Sequence, residues 1–420
     1  MLDNLHIPDI QLSDILLRLN ESERHVCVLK SRTDNGWGTR LAWNPVETFK
    51  ASRRDPHETS QELEKFTAEQ QAKGRLIIGY LSYDFGCALH KVELLAKDEF
   101  TTPPVFAVSF DNWLSFDAIG ATIAADQAWF ISEVQQILKR PMKFSEKSLY
   151  SQGLHPVQSR EWYEDAYQKI KAYLRAGDIY QVNLAQWLEG TTELSGRELF
   201  CRLSQSSKSD FQAYIEDESF EVLSYSPERF IQTDGNVITT MPIKGTRPRG
   251  KTDSEDEALR IALLESPKER AELDMITDLS RNDLGQICKP GSVRVSEDRT
   301  ITGYPTLWHA HATVRGQLKN EVGPLGALIS MLPGGSITGC PKKRAIEIID
   351  ELEPRRRGIY TGSVFTISPS GELDSSIVIR TLIKKDNHLY LPVGGGIVYD
   401  SIGKDEYQES LDKAASFLTH

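Results

Sequence analysis

Cysteine is sparse and unpatterned in this chain. The five residues, Cys27, Cys87, Cys201, Cys288 and Cys340, include no CxxC pair. An odd count without metal-type spacing excludes a disulfide frame and a zinc site, and it reads as reduced thiols in a cytoplasmic protein. No apolar run approaches the roughly 20 residues that span a bilayer. The stretch MLDNLHIPDIQLSD has no basic segment leading into an apolar one, so neither a membrane nor a secretory signal is expected. Positive charge is also short, with a formal net charge of −11. A nucleic-acid binder needs a dominant basic field, so no nucleic-acid partner is expected. The basic clusters RPRG (247–250) and RRR (355–357) are local, and suit a small anionic ligand or a carboxylate partner. Repeats and low-complexity tracts are absent.

What is present is ample core material. At 39% hydrophobic and 26% charged residues, the 420 residues can fill about two to three domain-sized units. The polar segment 141–160, with two prolines and a glycine, divides an N-terminal region (1–140) from a larger C-terminal one (155–420). RLIIGYLSYDF (75–85) and VFAVSF (105–110) read as buried strands, as do IYQVNLAQW (179–187), EVLSY (221–225) and NVITTMPI (236–243). Ser159 caps a helix closed by Gly177, and SPKERAELDMITDLSRNDLG (266–285) opens with Ser266, Pro267 and Glu269 in a capping-box arrangement. GCPKKRAIEIIDELEP and KDEYQESLDKAASFL (404–418) complete the helices. Strands in meandering runs with interspersed helices favour an α+β fold with antiparallel sheet.

Several side chains can carry chemistry. Glu269 and Glu272 on one helix, and Glu406 and Glu409 on another, are each three apart and share a helix face. Two such faces together would present four carboxylates to a hard divalent cation; alternatively they are a capping box and a solvated face. Lys244 follows an apolar strand, with Arg247 and Arg249 close in sequence. Like charge and desolvation both lower a lysine pKa, as a nucleophilic amine requires; a simple carboxylate partner is the other reading. His309 and His311 are candidate general acids or structural histidines, and Glu228 is a candidate acid/base or an ion-pair partner. VGGGIV (393–398) places three glycines between strands, where backbone N–H groups can approach an anion or form a plain bulge. PGGSITGCPK (333–342) leads into a helix N-terminus. Arg380 and Tyr360 are plausible carboxylate partners.

Eight ordered segments then carry a resemblance. YQVNLAQ (180–186), SPERF (226–230), PIKGTRPRG (242–250), ELDMITDLSRNDLG (272–285), GSITGCPKKRA (335–345), RRRGIYTGSV (355–364), DSSIVIRT (374–381) and GGGIVYDS (394–401) resemble the motifs of the chorismate-binding family in order and register. The match spans about residues 160–418, with a looser one at GYLSYDFG (79–86). The resemblance implies two large antiparallel β-sheets packed as a sandwich with outer helices. It implies chorismate as substrate, and Mg²⁺ held by Glu272 and Glu409 with Glu269 and Glu406 acting through water. It assigns the substrate carboxylates to Gly245, Thr246, Tyr360, Arg380, Gly394, Gly395, Gly396 and Lys413, and sets Ser336 and Thr338 in the same pocket. His309 would lie beside the leaving hydroxyl, and Glu228 would be the acid/base.

Two positions separate the family's members. Those that add water resemble one another in a lysine where this chain has Gln181, which cannot act as a base. Those that aminate ring carbon 2 have a small residue where this chain has Lys244. PIKGT therefore resembles the members that aminate ring carbon 4 through a covalent lysine adduct. Ammonia would come from a separate glutaminase subunit. Carbon 2 amination and a non-catalytic chorismate-binding subunit are the alternatives. SSKSDFQAY (206–214) departs from the proline-rich segment of tryptophan-binding members, so tryptophan binding beside Ser31 is not carried over.

Overall fold

Leu76–Leu81 is buried along its whole length, which a strand tolerates only when both faces are covered. Its side chains alternate accordingly. Leu76, Ile78 and Tyr80 pack with Cys27, Leu29, Ala213, Ile215 and Val222. Ile77 and Leu81 face the other way, into a cluster with Leu63, Leu284, Leu328 and Ile349. The strands of the facing sheet repeat the pattern, with Val28, Leu41, Tyr214 and Leu223 turned toward Ile15, Phe130 and Leu199. The first cluster is the seam between two sheets, and the others join each sheet to its outer helices.

The computed structural model describes residues 5–33, 35–52, 55–124, 128–303 and 307–418. Among the described residues, one sheet has twelve strands and the other ten, paired antiparallel. The fold is α+β, a sandwich of two large antiparallel sheets with helices outside. The N-terminal region contributes to both sheets. Cys27–Lys30 pairs with Phe211–Glu216, and Leu76–Leu81 with Ser363–Ile367. The polar segment 141–160 thus divides the sequence and not the sheets; it even contains the strand Gln152–Pro156, paired with Gln181–Thr191. The outer bounds of the two regions, residues 1 and 420, lie outside the described residues.

Several sequence boundaries shift. The strand expected over 75–85 stops at Leu81, because Ser82 accepts the Phe85 amide and caps the helix Tyr83–Leu89. The strand expected over 236–243 is two, Val237–Thr240 and Ile243–Pro248, so Lys244 lies within a strand. The glycine run does not lie between strands. It sits inside His388–Val398, paired with Gln181–Thr191. The last helix breaks at Lys413, giving Gly403–Asp412 and Ala415–Leu418. The helix Arg160–Ala176 has the expected Ser159 cap, and ends at Gly177 with φ 81°. The five cysteines are free. Among the described residues, no helix is long and apolar enough to cross a membrane.

The arginine clusters meet protein acceptors. Arg355 pairs with Glu99 and Glu189, and Arg356 donates to the Leu94 and Ala96 carbonyls. Arg357 is 1% exposed and makes a two-pronged ion pair with Glu353, 2% exposed, at 2.6 and 2.9 Å. It also donates to the Ile337 and Asn183 carbonyls, while Glu353 accepts the Ala185 amide. Removing one partner of such a pair strands a charge in the interior, at about 3–5 kcal/mol. Arg357→Ala is expected to lower the unfolding free energy by about 3–5 kcal/mol in a denaturant melt; a loss below about 1 kcal/mol would contradict this account of the core.

Candidate active site

A cavity of about 650 Å³ opens between the C-terminal part of the glycine strand, two helices and two strands of the other sheet. The helix Pro267–Ile287 brings Glu269 and Glu272 to it, and Gly403–Asp412 brings Glu406 and Glu409. The strand Ile243–Pro248 supplies Lys244, Gly245 and Thr246, and its neighbour Leu307–Gln317 supplies His309. Glu228 enters from the turn between two strands, and Tyr360 and Arg380 from loops. Ser336, Gly394, Gly396 and Lys413 complete the wall.

Backbone details set these groups. The register slips between Ile243 and Thr246. Gly245 takes φ +90° there, and a Cβ would lie 2.9 Å from Leu263 Cδ1 and 3.3 Å from the Glu269 carboxyl carbon. Only glycine suits both the conformation and the space. Gly395 is bare toward Lys413 Nζ, Glu406 and Glu409, which a Cβ would meet at 3.5–3.8 Å. A glycine inside a strand is expected where another group approaches the backbone. Thr338 does not line the cavity. It is fully buried, and its hydroxyl donates to the Gly334 carbonyl at 2.8 Å, an internal tie of the 335–340 segment.

Burial dominates the electrostatics. It pulls the Lys244 pKa down, against the attraction of Glu272 and Glu228; Lys413 adds to the lowering. It pushes Glu228 up to about 7, although Lys244 and a hydrogen bond donated by the Ser336 hydroxyl at 3.0 Å oppose the rise. It takes His309 down to about 4, helped by Arg380. His309 is therefore neutral at physiological pH, with Nδ1 2.9 Å from the Thr246 hydroxyl. Of the two candidate acids, only Glu228 titrates near neutrality. His311 lies outside this cavity, beside Thr302 and Glu297.

The four glutamates fit a hard cation. Burial raises the Glu272 pKa, with Glu409 and Glu269 adding repulsion, and burial also raises that of Glu406. Glu269 holds Arg247 through Oε1 at 2.6 Å, while its buried Oε2 has no hydrogen-bond partner. Lys413 Nζ bridges Glu409 Oε1 and the Gly394 carbonyl, each at 2.9 Å. Among the described residues no three acidic, histidine or cysteine side chains close on one point by themselves. Mg²⁺ does not require that, since it uses one or two carboxylates and completes its shell with water and substrate oxygens.

Sequence reasoning missed Asn183, Lys268 and Asp412 in this wall. Asp412 continues the helical spacing of Glu406 and Glu409, and Lys268 precedes Glu269, so both had a signal. Gln181 sits below the glycines; its amide is buried without a hydrogen-bond partner, 3.2 Å from the position of a Gly396 Cβ. The Ser31 hydroxyl donates to the Asp210 carbonyl at 3.0 Å, and Trp37 packs edge-on against Phe211 at 5.4 Å.

The chain belongs to the family described as chorismate binding enzyme, which matches residues 24–419. It is 36% identical to aminodeoxychorismate synthase component 1 of Bacillus subtilis, over 80% of this chain and 75% of that protein. It is 32% identical to anthranilate synthase component 1 of Lactococcus lactis, over 89% and 84%. The solved anthranilate synthase component I of Streptococcus pneumoniae superposes with a TM-score of 0.80 at 26% identity, covering 100% of both chains.

The charges facing Lys244 give its titration a sign. Lys413→Met removes a repelling cation and is expected to raise the Lys244 pKa, while Glu272→Gln removes an attracting anion and is expected to lower it. The pH dependence of Lys244 labelling by an amine-reactive reagent, read by peptide mass spectrometry, checks both. Two shifts in the same direction would contradict this description of the site.

Proposed function

We propose that this enzyme aminates chorismate at ring carbon 4, giving 4-amino-4-deoxychorismate, with ammonia supplied by a separate glutaminase subunit. The observation that carries the reading is Lys244, an amine with a lowered pKa in the cavity wall beside Glu228. The lysine lone pair forms a bond to ring carbon 2, both ring double bonds shift, and the carbon 4 hydroxyl leaves as water with the Glu228 proton. Ammonia then bonds to carbon 4, both double bonds shift back, and the lysine departs with its electron pair. Two displacements bring nitrogen to carbon 4. Neutral His309 offers a hydrogen bond near the leaving group, not a proton.

Arg380, Tyr360, Thr246, Lys413 and the glycine backbone bind the two substrate carboxylates in this reading. Glu272 and Glu409 would hold Mg²⁺, with Glu269 and Glu406 behind them; when bound, the ion supplies positive charge for the ring carboxylate. Gln181 supports amination over hydration, because an amide cannot deprotonate water.

Relatives of both aminating kinds resemble the chain, so the product decides. The protein is incubated with chorismate, Mg²⁺ and ammonium. The expected product is one that a lyase converts to 4-aminobenzoate, and chelation of the metal is expected to abolish its formation. Anthranilate in its place would overturn the reading, and no turnover despite chorismate binding would mark a non-catalytic subunit. Lys244→Ala should abolish or reroute amination while chorismate affinity stays within roughly tenfold, about 1.4 kcal/mol.

A further inference from the structure

Glu228 has a second face. Behind it, away from Lys244, lies a cavity of about 20 Å³ lined by Glu228, Thr240, Ser280, Asp283, Gly334 and Ser336, among others. That is room for one water molecule, and the walls offer the polar partners a buried water needs. The Ser336 hydroxyl already donates to Glu228 Oε1 at 3.0 Å, and the Ser280 hydroxyl donates to the Ile276 carbonyl at 2.9 Å, leaving its oxygen free to accept. On the far side Asp283 is 8% exposed and pairs with Lys342 through Oδ2 at 2.8 Å. Thus one wall of the small cavity belongs to an acid in the large cavity, and the opposite wall to an acid near the surface.

We propose that Asp283 and Lys342 resupply the Glu228 proton through a water held in this rear cavity. The inference rests on the chorismate reading above, in which Glu228 loses one proton per turnover. The carbon 4 hydroxyl takes that proton and leaves as water. Ammonia enters as NH₃ and the product amine leaves as ammonium, so the balance is one proton consumed from solvent, and Glu228 must be reprotonated. In that reading the substrate covers the front face of Glu228, and the rear cavity offers a second approach to its carboxyl. The proton passes from Asp283 to the water while the water passes one to Glu228. Asp283 then recovers its proton from solvent.

The charged groups around each end suit this. Glu228 faces Lys244 and Lys413. Asp283, on the helix Pro267–Ile287, faces Lys342 from the helix Lys342–Leu352 and His90 from the end of Tyr83–Leu89. Burial raises both carboxyl pKa values, Glu228 to about 7, while Lys342 and His90 oppose the rise at Asp283. Asp283 acts only through Glu228 and does not touch the substrate.

The test compares wild type with Asp283→Asn, Asp283→Glu and Ser280→Val. The last fills the cavity without touching the Lys342 pair. Isotope-edited infrared spectroscopy of the Glu228 carboxyl, with the front cavity occupied by a chorismate analogue that lacks the carbon 4 hydroxyl, reads its hydrogen–deuterium exchange. Steady-state rates at fixed free ammonia, in H₂O and D₂O across the pH range, read the consequence. Asp283→Asn and Ser280→Val are expected to slow the exchange, enlarge the solvent isotope effect and lower kcat by roughly tenfold, with KM for chorismate changed less than about twofold. Asp283→Glu should restore most of it. Wild-type exchange and isotope effects in both variants would overturn the route. So would a loss of kcat and KM together that tracks a lower melting temperature and is not restored by Asp283→Glu. If wild type does not turn over chorismate, the preceding reading falls, and the exchange measurement still decides the proton route.

Discussion

The buried ion pair between Arg357 and Glu353 holds the strand on which the active site is built. Its donors and acceptors reach Asn183 and Ala185 on the strand Gln181–Thr191 and Ile337 beside the cavity. The guanidinium also lies over the Tyr83 ring at 4.9 Å, on a helix from the N-terminal region. Opposite Asn183 and Ala185 in the same sheet stand Gly396 and Gly394. A charge pair taken out of water is tolerable only when its lone pairs and protons are satisfied, and here several backbone groups of the site satisfy them. The glycine strand can then remain bare toward the substrate because its neighbour is held rigidly from behind.

On that frame the chemistry follows from burial. One desolvated pocket drives a lysine and a glutamate toward their neutral forms, which are the forms a nucleophile and an acid need. The same burial takes His309 too low to donate a proton at neutral pH. Glu272, Glu228 and Glu409 act on the lysine, and a cation held by the glutamates would offset their charge. The two carboxylates of the substrate would add to that negative charge, and Arg380 and Lys413, the latter paired with Glu409, offset it.

Much of this was legible in the sequence, for physical reasons. Glutamates three apart on a helix must share a face, so the two E-x-x-E pairs met in one cavity. Hydrophobic alternation and caps such as Ser159 located most strands and helices. Other features depend on tertiary context that no local pattern carries. Nothing in VGGGIV distinguishes a glycine loop from the glycine-bearing middle of a strand, because the cause is the group that approaches it. Thr338 resembled a pocket residue but spends its hydroxyl on Gly334. RRR suited either a small anion or a carboxylate partner, and the structure shows the latter: Arg355 pairs with Glu99 and Glu189, and Arg357 with Glu353 in the interior. The 141–160 segment looked like a linker because it is polar, although long-range pairing returns the chain on both sides of it to shared sheets.

The central claim is that the Lys244 amine bonds to the substrate ring. Intact-protein and peptide mass spectrometry, after incubation with chorismate and Mg²⁺ without any ammonia source, tests it most directly. The account predicts an adduct on the Lys244 peptide with the mass of chorismate less one water, absent in Lys244→Ala and discharged when ammonium is added. An unmodified Lys244 in a protein that nonetheless forms 4-amino-4-deoxychorismate under the same conditions plus ammonium would contradict it.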